Sequence, residues 1–266
     1  MAAPIAAMVQ IYGSNLMLHL RSSIFVLGYL AATGVYGTLA LFLWLLPSRW
    51  RHRIIISWTT VVVYWLRLTC GVRFQLHGRE NIQRDKDKRP FVVLSKHQST
   101  WETLYLQNLF YPASTILKKE LLRIPFFGWG LRALNPIGID RNNPRDALRQ
   151  VKAQGIARLS AGFNVLLFPE GTRIKAGERG KYARSGADIA CDAGVAVVPV
   201  AVNAGCCWPP GTFLKYPGTI QVVVGRAIDT RGRSSREVMQ EAETWIEDQM
   251  ASMLVINPSV VSETTR

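Results

Sequence analysis

The sequence predicts an α/β domain built on a mixed, largely parallel β-sheet flanked by helices, preceded by a membrane-embedded pair of helices. Three observations predict this fold. Short apolar runs typical of buried strands alternate with helical patterns from residue 72 onward. Residues 22–48 carry no charged side chain. The 266-residue chain is 48% hydrophobic and only 19% charged, which suffices for a large core. We therefore expect membrane-associated helices in residues 1–70 and the α/β domain in residues 71–266.

The uncharged segment 22–47 is long enough to cross a hydrocarbon core of about 30 Å, which takes about 20 helical residues. Trp44 and Trp50 lie near its end, where interfacial aromatic side chains are common. Three basic residues follow, which favours a cytoplasmic location for this end: Arg49, Arg51 and Arg53. The second apolar run, residues 54–66, is too short to span a bilayer and is expected to form an interfacial or re-entrant helix. A buried helix pair in a soluble protein is the alternative.

The α/β domain is expected to contain six strands and five helices. Residues 72–76 alternate between polar and apolar side chains, as in an edge strand, whereas the other strands are short apolar runs. One helix has Pro144 in its first turn and apolar residues at helical spacing, and another ends at Gly194. The predicted strands are 72–76, 91–94, 114–117, 165–168, 195–202 and 220–224. The predicted helices are 101–110, 119–134 with an interruption at Pro125, 144–160, 182–193 and 234–253.

The charge distribution indicates a negatively charged partner. The net charge is +14, and the first 228 residues contain 28 basic and 11 acidic residues, a balance of +17. Beside apolar segments, such a basic body fits anionic lipid or nucleic acid. The sequence has no recognisable nucleic-acid motif, so lipid is favoured. The four cysteines lack zinc or C-x-x-C spacing and the four histidines do not cluster, so we expect no metal site and no disulfide framework, as in reducing cytosolic surroundings.

The first candidate for catalytic chemistry is the segment 95–102, S-K-H-Q-S-T-W-E, which follows the strand 91–94 directly. Open α/β sheets carry their sites at the carboxyl ends of strands. If His97 precedes the helix and folds back over its first turn, Glu102 can accept a hydrogen bond from one imidazole nitrogen. That bond fixes the tautomer and leaves the other nitrogen as a base. The spacing also fits a structural histidine at a helix start, with Glu102 as a favourable acid in the first turn.

The second candidate is the segment 168–173, F-P-E-G-T-R, at the end of the strand 165–168. Gly171 lets the backbone approach a ligand closely, and Thr172 offers a hydroxyl. Arg173 can bind a phosphate through two parallel hydrogen bonds. Glu170 can accept a hydrogen bond from a hydroxyl or orient Arg173. The alternative is an ordinary strand-to-loop turn with a solvated arginine.

H-x-x-x-x-acid followed about seventy residues later by F-P-E-G-T-R resembles the glycerolipid acyltransferases, in particular those that acylate 1-acyl-sn-glycerol 3-phosphate. The resemblance covers about residues 74–224. Two further blocks match the family: residues 138–141, G-I-D-R, and residues 197–200, V-V-P-V. The commonest form of the first block ends in Asp, whereas Glu102 here keeps the charge and adds one methylene.

The resemblance implies roles for these residues. His97 acts as general base and Glu102 orients it, without a covalent acyl-enzyme. Pro199 lies near the acyl site. The acceptor phosphate is bound by Arg141 of the 138–141 block and by a basic residue before the I-P-F-F-G stretch, which is Lys118 or Lys119. Four residues of the 168–173 segment also bind it: Glu170, Gly171, Thr172 and Arg173.

The function implied is O-acyl transfer from an acyl thioester to the sn-2 hydroxyl of lysophosphatidic acid, which gives phosphatidic acid for phospholipid biosynthesis. The co-substrate is acyl-coenzyme A or acyl carrier protein loaded with a fatty acid, and no other cofactor is expected. Membrane lipids are the expected partners, at the cytoplasmic face of the inner cell membrane.

Three alternatives fit the same residues. The acceptor can be another lyso-lipid, such as a lyso-ornithine lipid or a different lysophospholipid. A hydrolase can use the same histidine to release free fatty acid. A basic protein that binds a membrane surface or nucleic acid without catalysis would not need His97 at all.

Overall fold

The computed structural model describes residues 3–82, 89–140 and 144–256. The helices are α1 Ala3–Phe42, α2 Ser48–Cys70, α3 Trp101–Leu109, α4 Phe127–Ala133, α5 Pro144–Ser160, α6 Ser185–Ala193 and α7 Ser235–Ile256. The strands are β1 Val72–His77, β2 Val92–Ser95, β3 Ala113–Lys118, β4 Ile137–Ile139, β5 Asn164–Leu167, β6 Val197–Val202 and β7 Gly218–Val224. Short 3₁₀ turns lie at Leu43–Leu45, Arg79–Ile82, Lys119–Arg123 and Ala204–Cys206.

The strands form a sheet in the order β1-β7-β6-β2-β5-β3-β4. Neighbouring strands are parallel except for β6 and β7, which are antiparallel, so β1 and β7 run opposite to the other five. A mixed, largely parallel sheet is therefore confirmed. Because β2 lies between β5 and β6, its carboxyl end opens near the middle of the sheet.

Helices cover both faces of the sheet, which explains why the central strands are apolar on both sides. Val92 and Leu94 of β2 pack in one cluster with residues of α5, α6 and α7. Val93, which points the opposite way, packs in a second cluster with residues of α2 and α3. Gly186 lets α6 approach the sheet closely, since a Cβ there would lie 2.5 Å from the Leu94 side chain.

Most predicted elements form within a few residues of their expected bounds, and α5 has the predicted bounds. Residues 137–139 form β4, which the sequence pattern does not predict because a three-residue strand centred on Gly138 has no readable alternation. The predicted helix 182–193 begins later, at Ser185, because the preceding chain is held as a loop: the Ala183 amide donates to the Pro169 carbonyl. It ends as expected at Gly194, whose φ is +63°.

The N-terminal helices are longer than their apolar runs. α1 extends through Arg21 back to Ala3, and α2 covers 23 residues before Gly71 ends it in the left-handed conformation. Among the described residues, Asn15–Leu45 is the one helical stretch long and apolar enough to cross a membrane.

Both N-terminal helices also pack on the α/β domain. Phe25 of α1 and Trp58 of α2 belong to the same buried cluster as Val93 of the central strand. The Ser22 hydroxyl accepts a hydrogen bond of 3.0 Å from the Lys215 amide. Gly37 lets the backbone of Phe126 lie directly against α1, since a Cβ would be 2.3 Å from the Phe126 carbonyl oxygen. The domain therefore contacts α1 along much of its length.

Candidate active site

His97 and Glu102 meet at the carboxyl end of β2. His97 lies in the extended segment before α3, and Glu102 is in the first turn of that helix, so the side chains can approach across the turn. His97 Nδ1 is 2.9 Å from Glu102 Oε1. A carboxylate oxygen can only accept, so in the neutral imidazole Nδ1 carries the proton and Nε2 keeps its lone pair. The contact expected from the sequence is present.

Glu102 is fixed by more than the histidine. Its side chain is fully buried, and Oε1 also accepts the backbone N–H groups of Gln98 at 2.7 Å and Ser99 at 2.5 Å. Both amides belong to the loop that precedes α3, so the carboxylate ties this loop to the first turn of the helix. The carboxylate is thus held in place before any substrate binds.

The loop after β5 holds His97 from the other side. The ring of Phe168 stacks on the imidazole, with centroids 4.1 Å apart. The Ile174 amide donates to the His97 carbonyl at 2.8 Å. Glu170 Oε2 accepts the His97 backbone N–H at 2.8 Å. The first and second predicted segments are therefore joined by direct hydrogen bonds.

Glu170 faces the protein interior. Its side chain has no exposed area, and Oε1 forms an ion pair of 2.7 Å with Lys96 Nζ. Burial raises the pKa of Glu170 above its usual range, and the Lys96 ammonium opposes that shift. The observed partners of Glu170 are thus Lys96 and the backbone of His97, whereas Arg173 on the same turn is exposed.

Two cavities adjoin His97. The first, the polar pocket, has a volume of about 510 Å³, and its wall includes Lys118, Thr100, Thr103 and Gln107, together with Tyr29 of α1 and Trp58 of α2. The second, the apolar pocket, has a volume of about 450 Å³ and lies between the sheet, α5 and the loop before α6. Its walls include Ile116, Leu117, Ile139, Leu148 and Val151. His97 and Phe168 border both cavities.

The structure gathers most of the predicted substrate-binding residues around the polar pocket: Lys118, Gly171, Thr172 and Arg173. Gly171 has a φ of +66°, a conformation that explains the glycine at this turn. Pro199 lies buried in β6 beside Leu94, and among the described residues that border the two pockets it does not appear. Arg141 lies outside the described residues. Within the described ranges, no group of three His, Cys, Asp or Glu side chains is placed to hold a metal ion.

Comparison with known proteins gives the family. A family model described as acyltransferase matches residues 73–203. A 1-acyl-sn-glycerol-3-phosphate acyltransferase of Pseudomonas aeruginosa is 45% identical in an alignment of 255 positions that covers 91% of this chain and 98% of the relative. The chain belongs to the 1-acyl-sn-glycerol-3-phosphate acyltransferase family. It is an acyltransferase, as the sequence resemblance implied.

More distant members of the acyltransferase family support the same family assignment. A Saccharomyces cerevisiae enzyme of the same name is 28% identical over 243 residues, covering 89% of this chain and 77% of the relative. The crystal structure of the 1-acyl-sn-glycerophosphate acyltransferase PlsC from Thermotoga maritima matches with a TM-score of 0.75 at 25% identity. That match covers 90% of this chain and 97% of the other. The fold is thus one that an acyltransferase is known to adopt.

Four residues near the acyltransferase site were not predicted as part of it. Tyr29 and Trp58 border the polar pocket from the N-terminal helices, and the sequence assigned those helices to the membrane alone. Lys96 and Glu247 form a buried cluster with Glu170, although 151 residues separate them. The lysine directly before His97 was visible in the motif, but nothing in the sequence identified Glu247 among the acids of α7.

The contacts of Glu102 predict different stabilities for two substitutions. In Glu102→Leu the amides of Gln98 and Ser99 lose a buried acceptor, which costs about 1–3 kcal/mol for each group left unpaired. In Glu102→Gln a carbonyl oxygen can still take the place of Oε1. We expect the thermal midpoint in detergent, followed by circular dichroism, to fall more for Leu than for Gln. Equal midpoints would contradict this role for the carboxylate.

Proposed function

We propose that this acyltransferase transfers a fatty acyl group from an acyl thioester to the sn-2 hydroxyl of lysophosphatidic acid, forming phosphatidic acid. One observation carries the proposal: His97, with Nδ1 occupied by Glu102, borders both a pocket with Lys118 and Arg173 and a second, apolar pocket. This arrangement suits an acceptor with a phosphate and a donor with an acyl chain. The names of the Pseudomonas and yeast relatives support the same acceptor.

The chemistry follows from the tautomer of His97. Nε2 takes the proton of the sn-2 hydroxyl as its oxygen attacks the thioester carbonyl, and Glu102 stabilises the imidazolium that forms. The tetrahedral intermediate then expels the thiolate, which receives the proton from His97. General-base catalysis of this kind contributes about 10²–10⁴ in rate. A covalent acyl-enzyme is not needed, because the thioester is already activated.

Charge positions the acceptor in this proposal. Arg173 and Lys118 are exposed cations on the wall of the polar pocket and bind the phosphate, and Thr172 adds a hydroxyl. The family resemblance assigns the same role to Arg141, which lies outside the described residues. With the phosphate fixed there, the hydroxyl is held within reach of Nε2, which converts a bimolecular encounter into a local one. The donor is acyl-coenzyme A or acyl carrier protein, and no further cofactor takes part.

The packing of α1 supports a location in one leaflet. Contacts with the α/β domain run from Ser22 to Ala40, about 27 Å along the helix. A hydrocarbon core is about 30 Å thick, so a spanning α1 would carry the charged domain into it. Lying near the surface, α1 instead presents its exposed apolar side chains to lipid: Leu16, Leu20, Leu27, Leu30, Val35 and Phe42. The basic body then faces the anionic cytoplasmic leaflet.

The first measurement is an acyl-transfer assay on membrane fractions with labelled acyl-coenzyme A and lysophosphatidic acid. We expect the wild type to form phosphatidic acid and His97→Ala to lose at least about 10²-fold in rate, since the base is removed. His77→Ala is the matched control, because His77 is exposed on the edge strand β1.

Wild-type protein that makes no phosphatidic acid with either acyl-coenzyme A or acyl carrier protein would contradict the proposed acceptor. Turnover retained in His97→Ala would remove His97 as the base.

Substitution of Arg173 tests the phosphate site. Arg173→Ala removes a cation from the polar pocket, so we expect the KM for lysophosphatidic acid to rise more than the KM for the acyl donor. Arg236→Ala is the control, since Arg236 is exposed in the first turn of α7, away from the pockets. A larger rise in the donor KM would reassign Arg173 to donor binding.

The one-leaflet location predicts that both ends of the uncharged segment face the cytoplasm. Ser14→Cys and Ser48→Cys, each in protein with the four native cysteines replaced by alanine, are treated with a membrane-impermeant maleimide. We expect both sites to react only after the cells are opened. The cysteine-free protein is the control. Reaction at position 14 in intact cells would show that α1 spans the membrane.

A further inference from the structure

Lys96 is a buried cation immediately before the catalytic histidine. Its side chain is only 1% exposed. It continues the extended chain of β2, where its amide donates to the Val200 carbonyl at 3.0 Å. Because neighbouring residues of an extended chain point to opposite faces, Lys96 points towards α7, away from the side of the sheet that His97 faces. A charge this deeply buried requires partners of opposite charge.

The ammonium of Lys96 lies among three oxygens, two that accept hydrogen bonds from it and one, on Glu170, that forms an ion pair with it. They are Glu170 Oε1 at 2.7 Å, Glu247 Oε1 at 2.9 Å and the Glu178 carbonyl at 3.3 Å. Glu247 in turn accepts the Tyr182 hydroxyl at 2.6 Å. Burial and Glu247 raise the pKa of Tyr182 above its usual value, so the phenol stays protonated and remains a donor. Two hydrogen bonds and one ion pair therefore surround the ammonium of Lys96.

The cluster reaches the catalytic residue through Glu170. One oxygen of this carboxylate pairs with Lys96, and the other accepts the backbone N–H of His97. Since a carboxylate is planar and rigid, holding Oε1 also sets the position of Oε2. The rotation of Glu170, and with it the position of the His97 backbone, is thus set by the ammonium of Lys96. Glu247 fixes that ammonium from α7.

We propose that Lys96 and Glu247 are positioning residues that set the backbone of His97 through Glu170. The inference rests on the proposed function for its kinetic consequence, but its structural content does not depend on the substrate. Glu247 lies beyond residue 203, where the acyltransferase family model ends, so the C-terminal helix is part of the apparatus that aligns the base.

Glu243 provides a matched control on the same helix. It lies one turn before Glu247 and forms an ion pair of 2.6 Å with Arg179, on the same loop as Glu178. The Arg179 side chain is 62% exposed, and its pair with Glu243 makes no contact with Lys96 among the described interactions. Glu243→Gln and Glu247→Gln therefore remove the same charge from the same helix, and only the second alters the partners of Lys96.

The kinetic test compares Glu247→Gln, Lys96→Met, the double variant and Glu243→Gln. A displacement of about 1 Å at the base costs up to about 10²-fold in rate. We expect kcat to fall about 10-fold in Glu247→Gln and about 10²-fold in Lys96→Met, with both KM values within about twofold. Because Glu247 acts through Lys96, the double variant should be no slower than Lys96→Met alone. Glu243→Gln should keep wild-type kcat.

A second readout is independent of the substrate. Hydrogen exchange of the backbone amide of His97, measured on the protein in detergent micelles, should be faster in Glu247→Gln than in the wild type and in Glu243→Gln. If the protein does not acylate lysophosphatidic acid, this measurement still decides the inference. Unchanged exchange in Glu247→Gln would overturn it. So would a rise in KM at constant kcat, or effects of the two single variants that multiply in the double variant.

Discussion

The parallel register of β2 against β5 is the constraint on which the site depends. Val92 pairs with Val165 and Leu94 with Leu167, an offset of 73 residues. The same offset continues beyond the strands to His97 and Glu170, where the Glu170 side chain accepts the backbone N–H of His97. Because the register sets this meeting, a shift of β2 by one residue would turn the His97 side chain to the wrong face of the sheet. The position of His97 is thus set by the central sheet.

The sequence was sufficient to predict contacts and helix bounds that depend on residues close together in the chain. The contact of His97 with Glu102 could be predicted because both lie within one strand-to-helix turn. The bounds of α5 followed from Pro144 and regular apolar spacing. The association of the two motif segments could also be expected, because each follows a buried strand of the same sheet. Lys118 and Arg173 were found by resemblance, and the structure places them on one pocket wall.

The sequence was not sufficient to predict contacts that depend on how distant elements pack together. Glu247 is one of several acids on an amphipathic helix, and its burial depends on where α7 docks, 151 residues from Lys96. Glu170 reads as a ligand-facing residue because it lies in a motif turn, yet its side chain is buried by the same docking. The start of α1 was missed because absence of charge marks the apolar segment, whereas helix formation continues through Arg21.

The wall that Tyr29 and Trp58 give to the polar pocket also limits how the protein can be shortened. Deleting residues 1–47 would remove the described helical stretch that is long and apolar enough to cross a membrane. The deletion would also open one side of the polar pocket to bulk water and uncover Trp58, Val62 and Leu66, which belong to the shared core. In the truncated protein, water would enter the pocket freely and the newly exposed apolar surface would promote aggregation.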